Sequence, residues 1–206
     1  IPVTVKQNAI RILAIGNSFS QDAVEQYLYE LAEAAGYELI IGNMYIGGCD
    51  LDKHWANFQS DAAAYEYRKI VKGEKVGKTG YKLSQGLADE NWDYISLQQA
   101  SGKSGKYETY TVLADLIAGI KERCPKAKLL WHQTWAYASS STHESFSDYD
   151  SNQMTMYSSI VTAVRQAMTN HTDLSLLIPS GTAIQNGRTS FLGDAFNRDG
   201  YHLEVT

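Results

Sequence analysis

The 206 residues carry 18 Lys and Arg against 23 Asp and Glu, a formal net charge of −5, and are 44% hydrophobic and 20% charged. That is a globular composition, and at about one domain per 150 residues it predicts a single domain over residues 1–206. No apolar run reaches the roughly 18 residues of a membrane helix, so no membrane span is expected. No basic stripe exists to neutralise phosphates, and nucleic acid is not an expected partner.

In chain order, Ile10-Arg11-Ile12-Leu13-Ala14-Ile15-Gly16 reads as a buried β-branched strand ended by glycine. The three- and four-residue spacing of Val24, Tyr27, Leu28, Leu31 and Ala35 predicts one helix over 21–35, with Ser20 as N-cap and Gly36 just past its end. A second strand covers 38–42. The tight loop Ile46-Gly47-Gly48-Cys49-Asp50 follows, then a helix carrying His54, Trp55 and Phe58. Residues 65–83, with Lys72-Gly73-Glu74 as a turn signal, read as an exposed hairpin inserted on the scaffold. Strands at 93–98, 128–132 and 174–178 alternate with helices at 110–123 and 150–168, the latter with Tyr157, Ile160, Val161 and Val164 facing inward. Five apolar strands separated by helices predict a parallel sheet covered on both faces. Ligands of such sheets bind beyond the carboxyl ends of the strands, which directs attention to 16–20, 47–50, 98–102 and 132–137.

Cys49 and Cys124 are too few for a disulfide framework and are expected to be free thiols. The five histidines show no metal-ligand spacing, and no phosphate-loop or G-x-G-x-x-G motif occurs, so neither a metal nor another cofactor is expected. The start Ile1-Pro2-Val3, without methionine, suits a processed protein, periplasmic or secreted. The 14 tyrosines and 4 tryptophans offer flat faces with polar edges, suited to sugars as well as to cores.

Gly16-Asn17-Ser18-Phe19-Ser20 leaves the first strand and opens a helix, a setting suited to a nucleophile whose reaction develops an oxyanion; a serine there also serves simply as a helix cap. Far downstream, Arg198-Asp199-Gly200-Tyr201-His202 spaces a carboxylate and an imidazole three residues apart, so that Asp199 can orient His202 as a general base. A base histidine must be neutral to accept a proton, and an ordinary imidazole titrates near about pH 6.5, so activity is expected to fall towards acid.

These segments, in this order and at these strand ends, resemble the SGNH (GDSL-like) hydrolase superfamily across nearly the whole chain. The resemblance implies a flavodoxin-like three-layer α/β/α sandwich, with a five-stranded parallel sheet of order 2-1-3-4-5. It implies Ser18 as nucleophile, with Asn17 in place of the usual aspartate, and the pair Asp199 and His202. For the oxyanion hole it implies Ser18, Gly48 (with Gly47 as fallback) and an amide. The usual asparagine of that amide is replaced here by Gln98-Gln99, of which Gln98 is preferred, as in the branch that resembles carbohydrate acetylesterases. It also implies a closing helix after His202 that these 206 residues do not contain.

His132, Trp135 and Tyr137, leaving the fourth strand at the same edge, are candidate substrate-binding residues. The expected function is a serine esterase removing a small acyl group, acetyl above all, from a carbohydrate or similar small ester. A thioesterase or acyltransferase, a non-catalytic carbohydrate-binding protein and a flavodoxin-like cofactor binder are the alternatives.

Overall fold

The computed structural model describes residues 9–204. Strands β1 (Ile10–Gly16), β2 (Leu39–Tyr45), β5 (Tyr94–Leu97), β6 (Lys128–His132) and β7 (Leu174–Ile178) are mutually parallel and lie in the order β2-β1-β5-β6-β7. This is the 2-1-3-4-5 order expected for the parallel part. The sheet as a whole has seven strands rather than five, because β3 (Tyr65–Val71) and β4 (Glu74–Tyr81) extend it antiparallel beyond β2.

The hairpin is therefore part of the sheet and not an exposed insert. Its alternation explains why. Tyr65 and Tyr67 point to one face and are buried, while Arg68 and Ile70 point to the other, so β3 is covered on both sides. Only β4 is solvent-facing along its length. Lys72 and Gly73 both adopt positive φ (53° and 78°), the backbone of the tight turns whose twist matches a hairpin.

Helices cover both faces. On one, α3 (Leu51–Ser60), α4 (Leu83–Ala88), α5 (Leu113–Arg123) and α6 (Gln153–Asn170) enclose the larger core, built on Leu13, Ile15, Met44, Ile95, Leu97, Leu129 and Trp131 from the strands. On the other, α1 (Ser18–Val24) and α2 (Leu28–Ala34) cover a smaller cluster of Ala14, Leu39, Ile41 and Ile70. The inward stripe of α6 is Met156, Ile160, Ala163, Val164 and Ala167, so Ile160 and Val164 point inward as expected while Tyr157 and Val161 lie half-buried at its margin. A last helix, α7 (Ser180–Gly187), and α4 had no clear sequence signature. No helix among the described residues is long and apolar enough to cross a membrane.

The single helix expected over 21–35 is two short ones, broken at residues 25–27. Glu25 turns inward there: its carboxylate accepts from Asn43 Nδ2 at 2.6 Å and meets Arg68 and Lys75 of the hairpin at 3.3 and 3.2 Å. A buried carboxylate is tolerable only when paired in this way, and the pairing outweighs helix continuity. The cap is Asn17, not Ser20; Ser20 lies inside the first turn and donates to the Asn17 carbonyl at 2.7 Å.

Two histidines sit in the interior. His54 meets the Tyr65 hydroxyl at 3.0 Å through Nδ1, and burial pushes its imidazole down to about 4. Burial alone does the same to His132. Both are neutral when folded, whereas an unfolded histidine takes up a proton near about pH 6.5. The unfolded state binds more protons between those values, so the stability the neutral rings contribute is complete above about 6.5 and is lost as pH falls towards 4. Urea unfolding should therefore show stability declining from pH 7 to 5, with a shallower decline in His132→Gln; an unchanged slope would contradict the assignment.

Candidate active site

The carboxyl ends of β1, β2 and β5 converge on Asn17. Its backbone is extended (φ −137°, ψ −153°), and its Oδ1 caps α1 by accepting from the Phe19 N–H at 3.0 Å. The same oxygen accepts from Gln98 Nε2 at 2.8 Å, and Nδ2 donates to the Cys49 carbonyl at 2.9 Å. Ser18, half-buried between buried Asn17 and Phe19, presents its side chain to a cleft of about 390 Å³. Gly48 lines the same cleft and Gly47 does not. Gly48 has φ +62°, which a side chain at this turn would strain, and the Cys49 N–H closes the turn on the Ile46 carbonyl at 3.2 Å. Among the described residues, the N–H groups of Ser18 and Gly48 have no intramolecular acceptor.

Asp199 and His202 are joined: Asp199 Oδ2 lies 2.6 Å from His202 Nδ1, and Oδ1 accepts from the backbone N–H groups of His202 and Tyr201 at 2.8 and 3.1 Å. Burial works against the charge of Asp199, but the backbone and imidazole hydrogen bonds from His202 and the Tyr201 N–H outweigh it, holding the carboxyl below its ordinary range. The carboxylate thus requires Nδ1 of His202 to carry a hydrogen, leaving Nε2 as the acceptor. The imidazole lies beside Phe19, the residue after Ser18, with ring centroids 6.0 Å apart. Among the described residues neither Nε2 of His202 nor the Ser18 hydroxyl has a hydrogen-bond partner, and the two are not bonded to each other.

Strand register separates the two glutamines. Gln99 faces α3, accepting from the Leu51 and Ala100 N–H groups and donating to Thr109. Gln98 faces the nucleophile loop from beneath, buried, with one amide hydrogen on Asn17 and Oε1 2.9 Å from His132 Nδ1. That oxygen only accepts, so His132 carries its proton on Nδ1 and receives the Ser180 hydroxyl on Nε2 at 3.1 Å. The chain Ser180–His132–Gln98–Asn17 is thereby fixed in direction.

His132, Trp135 and Tyr137 do not line the cleft, contrary to the expectation from their place at the strand end. They are 4%, 0% and 0% exposed and support the site from below. Trp135 stacks on Phe19 with centroids 4.3 Å apart and donates its indole N–H to the Tyr201 carbonyl at 2.7 Å. Tyr137 meets the Ser101 hydroxyl at 2.9 Å. The segment turns inward as it leaves β6, so aromatic residues that a straight strand end would expose are buried beneath the site. The walls come instead from Asp50, of the 47–50 segment, and from Lys103, Lys106, His143 and Asp148, which lie outside the segments singled out in the sequence. Lys103 pairs with Asp50 at 2.5 Å and Lys106 with Asp148 at 2.6 Å. Cys49, in the same turn, is buried and its thiol is pushed up to about 12, so it is no competing nucleophile.

The Cys49 carbonyl demands a donor at Asn17. Asn17→Asp would set a carboxylate oxygen against that carbonyl, and urea unfolding should register a loss of about 1–3 kcal/mol; a stability equal to wild type would show that the amide hydrogen is dispensable.

No curated protein matches the chain. Among solved structures it is similar to an acetylxylan esterase from Geobacillus stearothermophilus (13% identity, TM-score 0.58, covering 97% of this chain and 90% of that one). It is also similar to a protein from Slackia heliotrinireducens assigned provisionally to the SGNH hydrolases (20% identity, TM-score 0.60, 96% and 92% covered). At such identities the likeness establishes the fold, which is that of the SGNH hydrolases. A DUF4886 family protein from Bacteroides uniformis is nearer, at 55% identity and TM-score 0.92, with 97% of this chain and 78% of that one covered. The family model described as "Domain of unknown function (DUF4886)" matches residues 11–206, and the chain belongs to that family.

Proposed function

We propose that the protein is a serine esterase that removes a small acyl group, acetyl above all, from a carbohydrate or a similarly polar small ester. The Asp199–His202 hydrogen bond set beside Phe19, next to Ser18, is the observation that carries this reading. Ser18 Oγ attacks the ester carbonyl as its proton passes to His202 Nε2, and Asp199 stabilises the imidazolium through Nδ1. The proton then goes to the leaving alkoxide oxygen, so the alcohol departs and an acyl-Ser18 ester remains. Water, deprotonated by the same imidazole, attacks that ester and releases the carboxylic acid and free Ser18.

The oxyanion of both tetrahedral intermediates is assigned to the unpaired N–H groups of Ser18 and Gly48 and to the second amide hydrogen of Gln98. The direct Ser18–His202 hydrogen bond is expected to close with substrate present, as catalytic contacts commonly tighten in the Michaelis complex. Polarity of the cleft supports a hydrophilic alcohol: Phe19 and Ala100 apart, its lining side chains are Asn, Ser, Asp, Glu, Lys and His. The likeness to an acetylxylan esterase supports the acetyl ester.

Hydrolysis of p-nitrophenyl acetate tests the reaction. Ser18→Ala should lower kcat by at least roughly 10³-fold, and equal rates in both proteins would overturn the reading. Gln98→Ala should lower kcat by about 10²-fold with KM little changed, as loss of one oxyanion donor does. Faster turnover of p-nitrophenyl palmitate than of the acetate would contradict the small acyl group.

A further inference from the structure

We infer that Asp22 is a positioning residue: from the helix that carries Ser18, its carboxylate fixes the loop that presents Asp199 and His202. The inference rests on the esterase reading above. Ser18 and Asp22 are four residues apart on α1 and so lie on one face of it. The Asp22 side chain is only 1% exposed, and each oxygen has a partner. Oδ1 accepts from Arg198 Nη2 at 3.2 Å and Oδ2 from the Leu203 N–H at 2.9 Å. Arg198 immediately precedes Asp199, and Leu203 immediately follows His202. One buried carboxylate therefore grips the chain on both sides of the acid–base pair.

The gripped loop is closed on itself. The Arg198 N–H and Asn197 Nδ2 reach the His202 carbonyl at 3.1 and 3.3 Å, the Arg198 guanidinium reaches the Leu203 carbonyl, and Asn197 and Leu203 form an antiparallel bridge. Such a ring moves as a unit, so whatever anchors it sets the imidazole position. Two anchors come from the segment after β6: the Ala138 N–H on the Gly200 carbonyl at 2.8 Å and the Trp135 indole on the Tyr201 carbonyl. Asp22 adds the link to the nucleophile's own helix, so a shift of α1 carries the loop with it. Nucleophile and base must meet within about 3 Å, and misplacement by about 1 Å costs roughly 10²-fold.

An amide cannot replace this carboxylate. Both partners are donors, and an asparagine would turn its NH₂ towards one of them. In the full chain, Asp22→Asn should lower kcat for p-nitrophenyl acetate by roughly 10- to 100-fold with KM little changed, and hydrogen exchange at the Leu203 amide should accelerate. Trp92→Phe, which removes a buried hydrogen bond to the Gly86 carbonyl at the opposite end of the sheet, controls for lost stability and should keep kcat. Wild-type kcat in Asp22→Asn, with Ser18→Ala inactive, would overturn the inference and leave the esterase standing. A kcat loss in Trp92→Phe as large as that in Asp22→Asn would overturn it too, as plain destabilisation. Equal rates in wild type and Ser18→Ala would instead sink the esterase reading, and the positioning role with it.

Discussion

The Asn17 carboxamide is the junction on which the site is assembled. Its oxygen serves the first turn of α1 and the Gln98 amide, and its nitrogen serves the carbonyl of Cys49. Three chain segments, after β1, β2 and β5, are thus referred to one planar group that is 2% exposed. In so dry a setting each of these hydrogen bonds must be made, because an unmatched donor or acceptor bears its full desolvation cost. This accounts for an asparagine where a GDSL-like chain usually carries an aspartate: the local carbonyl needs a hydrogen that a carboxylate lacks. It also accounts for the buried polar chain behind it, since His132 and Ser180 settle which way the Gln98 amide points.

Beside this polar junction the packing is aromatic. Phe19 lies against Trp135, Trp135 holds the Tyr201 carbonyl, and Tyr201 packs against both His202 and Tyr137. Flat rings fix distance and tilt without needing further hydrogen bonds, and an offset pair adds about 0.5–1.5 kcal/mol beyond its burial. The candidate nucleophile and base, separated by nearly the whole sequence, are therefore linked through a continuous packed layer. Asp22 supplies a polar link in parallel with it.

The parallel strands were legible because each is a short apolar run closed by a turn or by a change to helical spacing. What the local pattern could not carry was tertiary competition. Glu25 breaks the first helix for the sake of partners on β2, β3 and β4, none of which is near it in sequence. The hairpin looked like an appendage because its second strand is polar, yet its first alternates on two buried faces. In the site, Ser18 stood out by its place after the first strand and Asp199 and His202 by their three-residue spacing, and the resemblance to the SGNH hydrolases joined the three. The positions of His132, Trp135 and Tyr137 did not follow, since a strand end says where the chain arrives and not which way it turns next. Asp22 had no signature at all, because one of four acidic residues in the helix expected over 21–35 reads as ordinary surface.

The hairpin has a bearing on how these molecules meet one another. An outermost strand offers unpaired N–H and C=O groups and invites other chains to add to it. Here that outermost strand is β4, Glu-Lys-Val-Gly-Lys-Thr-Gly-Tyr, whose spaced lysines repel a second copy and whose glycines weaken any new ladder. By moving the border of the sheet from apolar β2 out to this segment, the chain ends one side of its sheet in a strand that resists growth into aggregates.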